Sequence, residues 1–441
     1  MLLLRNGYLI DPASGTEGYR DILIENDKIV CIVPQGASIE TTRAVTNHSD
    51  GMNSKTDLKN VKEIDLNGQY VAPGLVDVHV HFRDPGFIHK EDIFTGARAA
   101  ARGGFTTVVL MANTKPAVDN SETLEYVLAK GKETDIHIHT CANVTKGLKG
   151  EELADMEALS ALGAAGFTDD GIPLMNEELL RMALQRAAKC HKPVSLHEEN
   201  PTLITNNGVN AGKASAYYSI GGSPRDAEIS MVERDLRIAV EEEADLSIQH
   251  ISTKEAVELV RQAKKKSPHI YAEATPHHFT LTEEAVIRHG TLAKMNPPLR
   301  EEADRLAIIE GLKDGTIDMI ATDHAPHSTE EKAKPLTEAP SGIIGLETSL
   351  SLGIRELVNK GYLSMSDLIR KMSYAPAKLY HLDVGYLAEG GPADLVIFDP
   401  HKEWVVNTFA SKAVNSPFVG ETMPGVISYT ICGGKIVYHH K

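Results

Sequence analysis

Apolar and polar residues alternate without a break from Val76 to Arg83. Side chains flip with a period of two along an extended chain, so Val76, Val78, Val80 and Phe82 share one face and Asp77, His79, His81 and Arg83 the other. The pattern predicts a strand with one face for packing and one for chemistry. From Tyr70 onward the theme repeats as a short apolar strand followed by a segment whose Ala, Leu and Val fall on a helical period, such as EDIFTGARAAARGG, NEELLRMALQRAAKC or TKEAVELVRQAKKKS. Candidate strands end at His81, Asn113, Asn143, Asp170, His197, His250, His277 and Asp323. Eight strand–helix units predict an α/β chain built on a (β/α)8 barrel, in which functional groups gather at the C-terminal ends of the strands.

The two ends of the chain read as strands without helices. LLLRNGYLID, RDILIENDKIVCIV and KEIDLNGQYV come before the barrel pattern, and GPADLVIFD, EWVV and PGVISYTICGGKIVYHH after it, the last with Gly433-Gly434 as a hairpin turn. Neither end alone buries much core, so they are expected to pair into one small discontinuous β-domain, residues 1–70 with 379–441, flanking a barrel at 71–378. The polar stretch between Val33 and Lys62 reads as a surface excursion.

Composition narrows the function. No apolar run approaches the roughly 18 residues that span a bilayer, and Met1–Gly7 turns polar too soon for a signal peptide, so a cytoplasmic protein without a membrane segment is expected. Cys31, Cys141, Cys190 and Cys432 are scattered and read as reduced buried thiols, not as a disulfide framework or a zinc knuckle. The net charge of -16, with no basic block, argues against a nucleic-acid partner and for a small-molecule substrate. An anionic substrate would approach against that field, so local cations must attract it.

The predicted strand ends carry His79 and His81, Asp170, His197, His250 and Asp323. Imidazoles and carboxylates are zinc ligands, and six exceed one tetrahedron, which points to two metals bridged by a carboxylate. His137-Ile138-His139 repeats the His-x-His spacing but lies before the end of its strand, and reads as structural. So do His89, His277-His278, His324 and His439-His440.

DVHVHFRDPG, MANTKP, FTDDG, SLHEEN, QHIST, KMNPPLR and ATDHAPH, in this order, resemble the dihydroorotases of the amidohydrolase superfamily, the long bacterial kind, over almost the whole chain, including GPADLVIFD and NSPF. The resemblance implies Zn2+, one or two ions with two expected, on His79, His81, His197 and His250, with Asp170 as the bridge and Asp323 as both ligand and proton shuttle. FTDDG replaces the carboxylated lysine of related enzymes. It further implies that Arg83, Asn113 and His327 hold a substrate carboxylate, that Asn296 and the Ser341-Gly342 backbone hold the polar edge of its ring, and that His81 also touches substrate. Ala112 stands where the family has proline, which is expected to loosen Asn113.

The implied reaction interconverts dihydroorotate and N-carbamoyl-L-aspartate in pyrimidine biosynthesis. A hydantoinase or allantoinase is one alternative, disfavoured because those enzymes need no carboxylate clamp such as Arg83. A catalytically dead scaffold subunit is another, disfavoured because all six ligands are present. A homo-oligomer and an association with an aspartate transcarbamoylase are both compatible with the resemblance. The charged segment His327–Gly342, HSTEEKAKPLTEAPSG, is expected to be tied at both ends and free in its middle, as a lid over substrate.

Overall fold

The strand that carries the alternating pattern runs from Leu75 to Val80 (β6) and is buried along its whole length. In a barrel both faces of a strand are covered: Val76, Val78 and Val80 pack outward under the helices while Asp77 and His79 turn into the interior. The coordinates are a computed structural model that describes residues 1–37 and 61–440; the polar excursion expected between Val33 and Lys62 lies mostly outside them.

Seven parallel strands make most of the barrel wall. β6, Phe105–Leu110 (β7) and His137–Thr140 (β8) pair in order, as do Val194–Leu196 (β9), Leu246–Ile248 (β10), Ile270–Ala274 (β11) and Met319–Ile320 (β12). The predicted strand ending at Asp170 is reduced to one residue, Phe167, which bridges Ala142 on one side and Val194 on the other. A bridge from Val80 to His324 closes the ring. Asp77 reinforces the closure, accepting from the backbone N–H groups of both His79 and Thr322. Burial pushes its carboxyl up to about 7.

Every strand ends one to three residues before its predicted end, because the chain leaves the ladder to turn its last side chains across the barrel mouth. Arg83, His250 and Asp323 adopt left-handed backbone conformations at φ 60, 30 and 44°. Such conformations cost non-glycine residues about 1–3 kcal/mol each and persist only where the surroundings fix them. Arg83 therefore reaches the mouth by leaving the strand, a correction to the alternation that the sequence suggested.

The outer helices follow their sequence signals. Ile93–Arg102, Ser121–Gly131, Glu177–Lys189 and Lys254–Lys264 are capped by Asp92, Asn120, Asn176 and Thr253, whose side chains accept from first-turn N–H groups. The helix Glu177–Lys189 buries Leu179, Leu180, Ala183, Leu184 and Ala187 on one face. Truncating Leu184 to Ala would cost about 2–5 kcal/mol. Among the described residues no helix is long and apolar enough to cross a membrane.

The two chain ends meet in one sheet. Its order places Leu2–Asp11 (β1), Thr16–Glu25 (β2) and Lys28–Pro34 (β3) on one side of Tyr70–Pro73 (β5), and Leu395–Val405 (β13), Thr422–Cys432 (β14) and Lys435–His439 (β15) on the other, with Lys62–Asp65 (β4) paired to β1. β5 joins the halves, parallel to β1 and antiparallel to β13. Leu9, Ile22, Val71, Leu395, Ile397 and Ile431 from both ends bury one another. Gly433 and Gly434 make the predicted turn at φ 52 and 72°, and a Cβ on Gly434 would lie 1.7 Å from the carbonyl oxygen of Asn26.

Candidate metal centre

His79 lies within β6 and His81 just past its end. Glu273, on β11, approaches His79 Nδ1 at 2.5 Å with the oxygen that also accepts from the His250 backbone N–H. His81 Nδ1 lies 3.1 Å from Asn113 Oδ1. With both Nδ1 atoms engaged, the Nε2 lone pairs of the two rings turn inward. His79 Nε2 is 3.3 Å from Asp170 Oδ1 and 3.6 Å from Asp323 Oδ1; His81 Nε2 is 2.9 Å from Asp323 Oδ1 and 3.5 Å from Asp170 Oδ2. His197 Nδ1 and His250 Nε2 face each other at 2.9 Å, and Asp170 Oδ1 lies 3.8 Å from the latter.

This donor set fits a metal. His79, His81 and Asp323, and again His79, Asp170 and His250, bring their ligand atoms within 4.8 Å of one another. His79 Nε2 is buried with no hydrogen-bond partner, and two imidazole nitrogens pointed at each other need a proton or a cation between them. Imidazole nitrogen and carboxylate oxygen are the donors a borderline dication takes. Burial opposes charge on His79, but Glu273, Asp323 and Asp170 outweigh it and raise its pKa well above the ordinary value. Burial likewise opposes charge on Asp170, and the surrounding imidazoles more than compensate. His250 shifts the other way, lowered by burial and by His197 and His79. A cation entering the cluster displaces protons, so its affinity rises with pH.

The two carboxylates of FTDDG separate cleanly. Asp170 faces the imidazoles and also accepts from Asn113 Nδ2 at 3.0 Å. Asp169 turns away and accepts from the backbone N–H groups of Val144 and Thr145, from the Thr145 hydroxyl and from Asn143. It anchors the turn after β8.

A cavity of about 350 Å³ opens over the cluster, lined by His81, Arg83, Asn113, Asp170, His197, His250, Asn296, Asp323, His327 and Ser341 among others. His79 and Gly342 are not among the residues that line it. Arg83 Nε donates to the Pro326 carbonyl at 3.3 Å, and burial lowers the pKa of its guanidinium against the pull of Asp323 and Asp170. Asn113 is held at both ends of its amide, by His81 and Asp170. Asn296 lies 3.1 Å from His197 Nε2. His327 is held neutral by burial and by Arg83 and Lys90; its Nε2 meets the Ser341 carbonyl at 2.8 Å and its Nδ1 lies 3.3 Å from Lys90 Nζ.

The segment from His327 to Gly342 is not free in its middle. Thr329–Lys332 forms one helical turn, and Lys332 is 5% exposed, while Lys334 beyond it is exposed. Its Nζ donates to the carbonyls of Pro340 and Gly342 at 3.0 Å each, while Lys294 Nζ donates to those of Leu336 and Ala339. Asn415, in the NSPF segment, donates to the carbonyls of Ala325 and Gly342 and accepts from the His327 N–H. A Cβ on Gly342 would sit 2.5 Å from the Ala325 oxygen, which leaves room only for glycine. The sequence assigned no role to Glu273, Lys294, Lys332 or Asn415, although Lys294 opens KMNPPLR, Asn415 opens NSPF and Lys332 lies in the charged segment; Glu273 alone had no motif around it.

Several of the histidines read as structural have partners outside the cluster, while His277 Nε2 is buried without a hydrogen bond. His278 is bonded to Thr275 and to the Pro297 carbonyl, His324 lies 3.5 Å from Glu91, and His439 stacks on Tyr429.

An amidohydrolase family model matches residues 70–437. The chain is 53% identical over 439 residues to a dihydroorotase of Clostridioides difficile (strain 630), covering 100% of both chains. It is 51% identical over 441 residues to one of Lactococcus lactis subsp. lactis (strain IL1403), again covering 100% of both. Among solved structures it is similar to an L-hydantoinase from Arthrobacter aurescens, with a TM-score of 0.83 and 26% identity over 99% of this chain and 96% of that one. A D-hydantoinase from Thermus sp. gives a TM-score of 0.83 and 25% identity over 100% and 96%.

Proposed function

Because the chain belongs to the amidohydrolase family, among its dihydroorotases, we infer that this site interconverts dihydroorotate and N-carbamoyl-L-aspartate in pyrimidine biosynthesis. The observation that carries the reading is a single cavity in which the half-buried guanidinium of Arg83 stands beside a cluster of imidazoles and carboxylates. Hydantoins and dihydrouracil are cyclic amides of similar size but bear no carboxylate to pair with Arg83, and the hydantoinases share the fold at half the sequence identity.

His79, His81, His197, His250, Asp170 and Asp323 would hold Zn2+, two ions with Asp170 between them. Metal bound there lowers the pKa of a water toward about 7 and polarises the ring carbonyl. The residues supply the rest. Asp323, in the left-handed conformation that turns it across the mouth, accepts a proton from the attacking water and returns it to the leaving ring nitrogen. Arg83 forks onto the substrate carboxylate, supplying the local cation that the net charge of the chain demands. Asn296 and Ser341 line the cavity where the polar edge of the ring would lie, while the Gly342 backbone, expected to share that role, is bonded to Lys294, Lys332 and Asn415 instead. Asn113 and His327, whose polar atoms are engaged by their neighbours, keep His81 and Ser341 in place beside the carboxylate. In the synthetic direction the same proton moves in reverse.

The test is Asp323→Asn, which keeps four imidazoles and the Asp170 carboxylate. The variant should stay folded and retain most of its metal while turnover falls by at least about 100-fold. Turnover within a few-fold of the unmodified enzyme would remove Asp323 from the proton path.

A further inference from the structure

The His-x-His motif of β8 lies outside the catalytic cluster, and the fold gives its first member partners far away in the sequence. His137 begins β8, at the end of the barrel wall opposite the catalytic mouth. Asp394 immediately precedes β13 and Cys432 ends β14, so both come from the C-terminal strands of the β-domain. His137 Nε2 lies 3.0 Å from Asp394 Oδ2, and the ligand atoms of all three residues lie within 4.8 Å of one another.

We propose that His137, Asp394 and Cys432 form a second metal site, taking a borderline transition-metal dication such as Zn2+ on one nitrogen, one oxygen and one sulfur.

A His–Asp ion pair beside an inert buried thiol would explain the residues one at a time. Three features join them. The Asp394 carboxylate is oriented in advance, because its other oxygen accepts from the Gly433 N–H at 2.7 Å, as carboxylate ligands in metal sites are held by outer hydrogen bonds. Cys432 Sγ, 3.5 Å from the Thr106 carbonyl, stands within reach of both other ligand atoms; burial and the Asp394 carboxylate push its thiol pKa up, and a bound cation is what would draw it to the thiolate. The cluster also opens onto a groove of about 490 Å³ lined by His137, His139, Cys432 and Lys435, through which an ion can enter and a water can fill the fourth position.

On binding, the Cys432 S–H bond breaks, its proton goes to solvent and the sulfur pair forms the bond to the metal; a proton on His137 leaves in the same way. No electron is transferred. Such an ion would tie the first residue of a barrel strand to two strands of the β-domain.

The catalytic cluster contains no sulfur, so a thiolate signature separates the two sites. The enzyme is stripped with a chelator and titrated with Co2+. The expected result is a near-ultraviolet thiolate-to-cobalt charge-transfer band that is absent in Cys432→Ser. That variant should hold one cobalt fewer per chain and turn over dihydroorotate at an unchanged rate. His137→Gln alters a side chain that is 43% exposed and keeps the thiol, so it tests the site even if Cys432→Ser folds poorly. It should weaken the cobalt affinity of the band at least as much as losing an outer-shell partner does, about 10–100-fold. Absence of the band at saturating cobalt in the unmodified protein overturns the proposal. So does its persistence in Cys432→Ser, or an affinity unchanged in His137→Gln.

Discussion

Glu273→Gln isolates what one carboxylate behind the metal cluster contributes. The amide is the same size and its oxygen can still accept from the His79 ring and from the His250 N–H, so the change removes charge and little else. From the 2.5 Å contact at Nδ1, the width of the ring and a zinc–nitrogen bond of about 2.0 Å, the carboxylate stands roughly 6.5 Å from a cation on Nε2. At an effective dielectric of about 20, that is about 5 kcal/mol of attraction for a dication and half as much for the proton it displaces. The difference, about 2.5 kcal/mol, is roughly a 70-fold loss of metal affinity. It falls within the 10–100-fold that outer-shell substitutions usually cost. The assay is equilibrium metal occupancy against a graded series of competing chelators. Glu91→Gln serves as a control, a buried carboxylate paired with His324 outside the ligand set. Turnover at saturating metal should fall only a few-fold, since the amide still orients His79. Affinity within twofold of the unmodified enzyme, or an equal loss in the Glu91 control, would refute the idea that Glu273 acts on the metal through His79.

Arg83→Met should lower kcat/KM for dihydroorotate by about 100-fold, the worth of one or two charge-assisted hydrogen bonds, and scarcely change the poor activity on dihydrouracil; equal losses would make Arg83 structural. Asp170→Ala should reduce bound metal to one ion or fewer, whereas Asp169→Ala should keep the metal and lose about 3 kcal/mol of stability in a denaturant titration, because it strands buried donors from Val144, Thr145 and Asn143. The reverse pattern would mean that the bridge has been assigned to the wrong carboxylate. Lys332→Met removes two hydrogen bonds to the wall of the cavity and should cost about 1–3 kcal/mol. Burial and Lys294 push the Lys332 ammonium down to about 7. The unfolded chain therefore binds the extra proton from about pH 7 to about pH 10.5, and the stability of the unmodified enzyme relative to the variant should rise with pH across that window. A difference that is flat in pH would show that Lys332 is not buried as a base.

The sequence by itself determined the parts that local physics dictates. Period-two alternation from Val76 to Val80, the helical periods of EDIFTGARAAARGG, NEELLRMALQRAAKC and TKEAVELVRQAKKKS, and the Gly433-Gly434 turn all respond to neighbours a few residues away, and each is found where its pattern lies. That His79, His81, Asp170, His197, His250 and Asp323 come together was legible for a related reason, since a barrel delivers the ends of its strands to one rim. What only the tertiary structure decided depends on pairs far apart in the chain. Whether Asp169 or Asp170 faces the imidazoles turns on a single peptide, settled when the donors of Val144 and Thr145 capture Asp169. Glu273 stands 194 residues from His79, and no pattern within β11 distinguishes it from an ordinary strand residue. The charged run from His327 to Gly342 reads as solvated because charge usually seeks water, yet Lys332 is drawn inside by two carbonyls that only the folded loop presents. Cys432 and His137 were set aside for the same reason: a ligand set assembled from three distant strands has no spacing in the sequence, and exists only once the barrel and the terminal sheet have closed on each other.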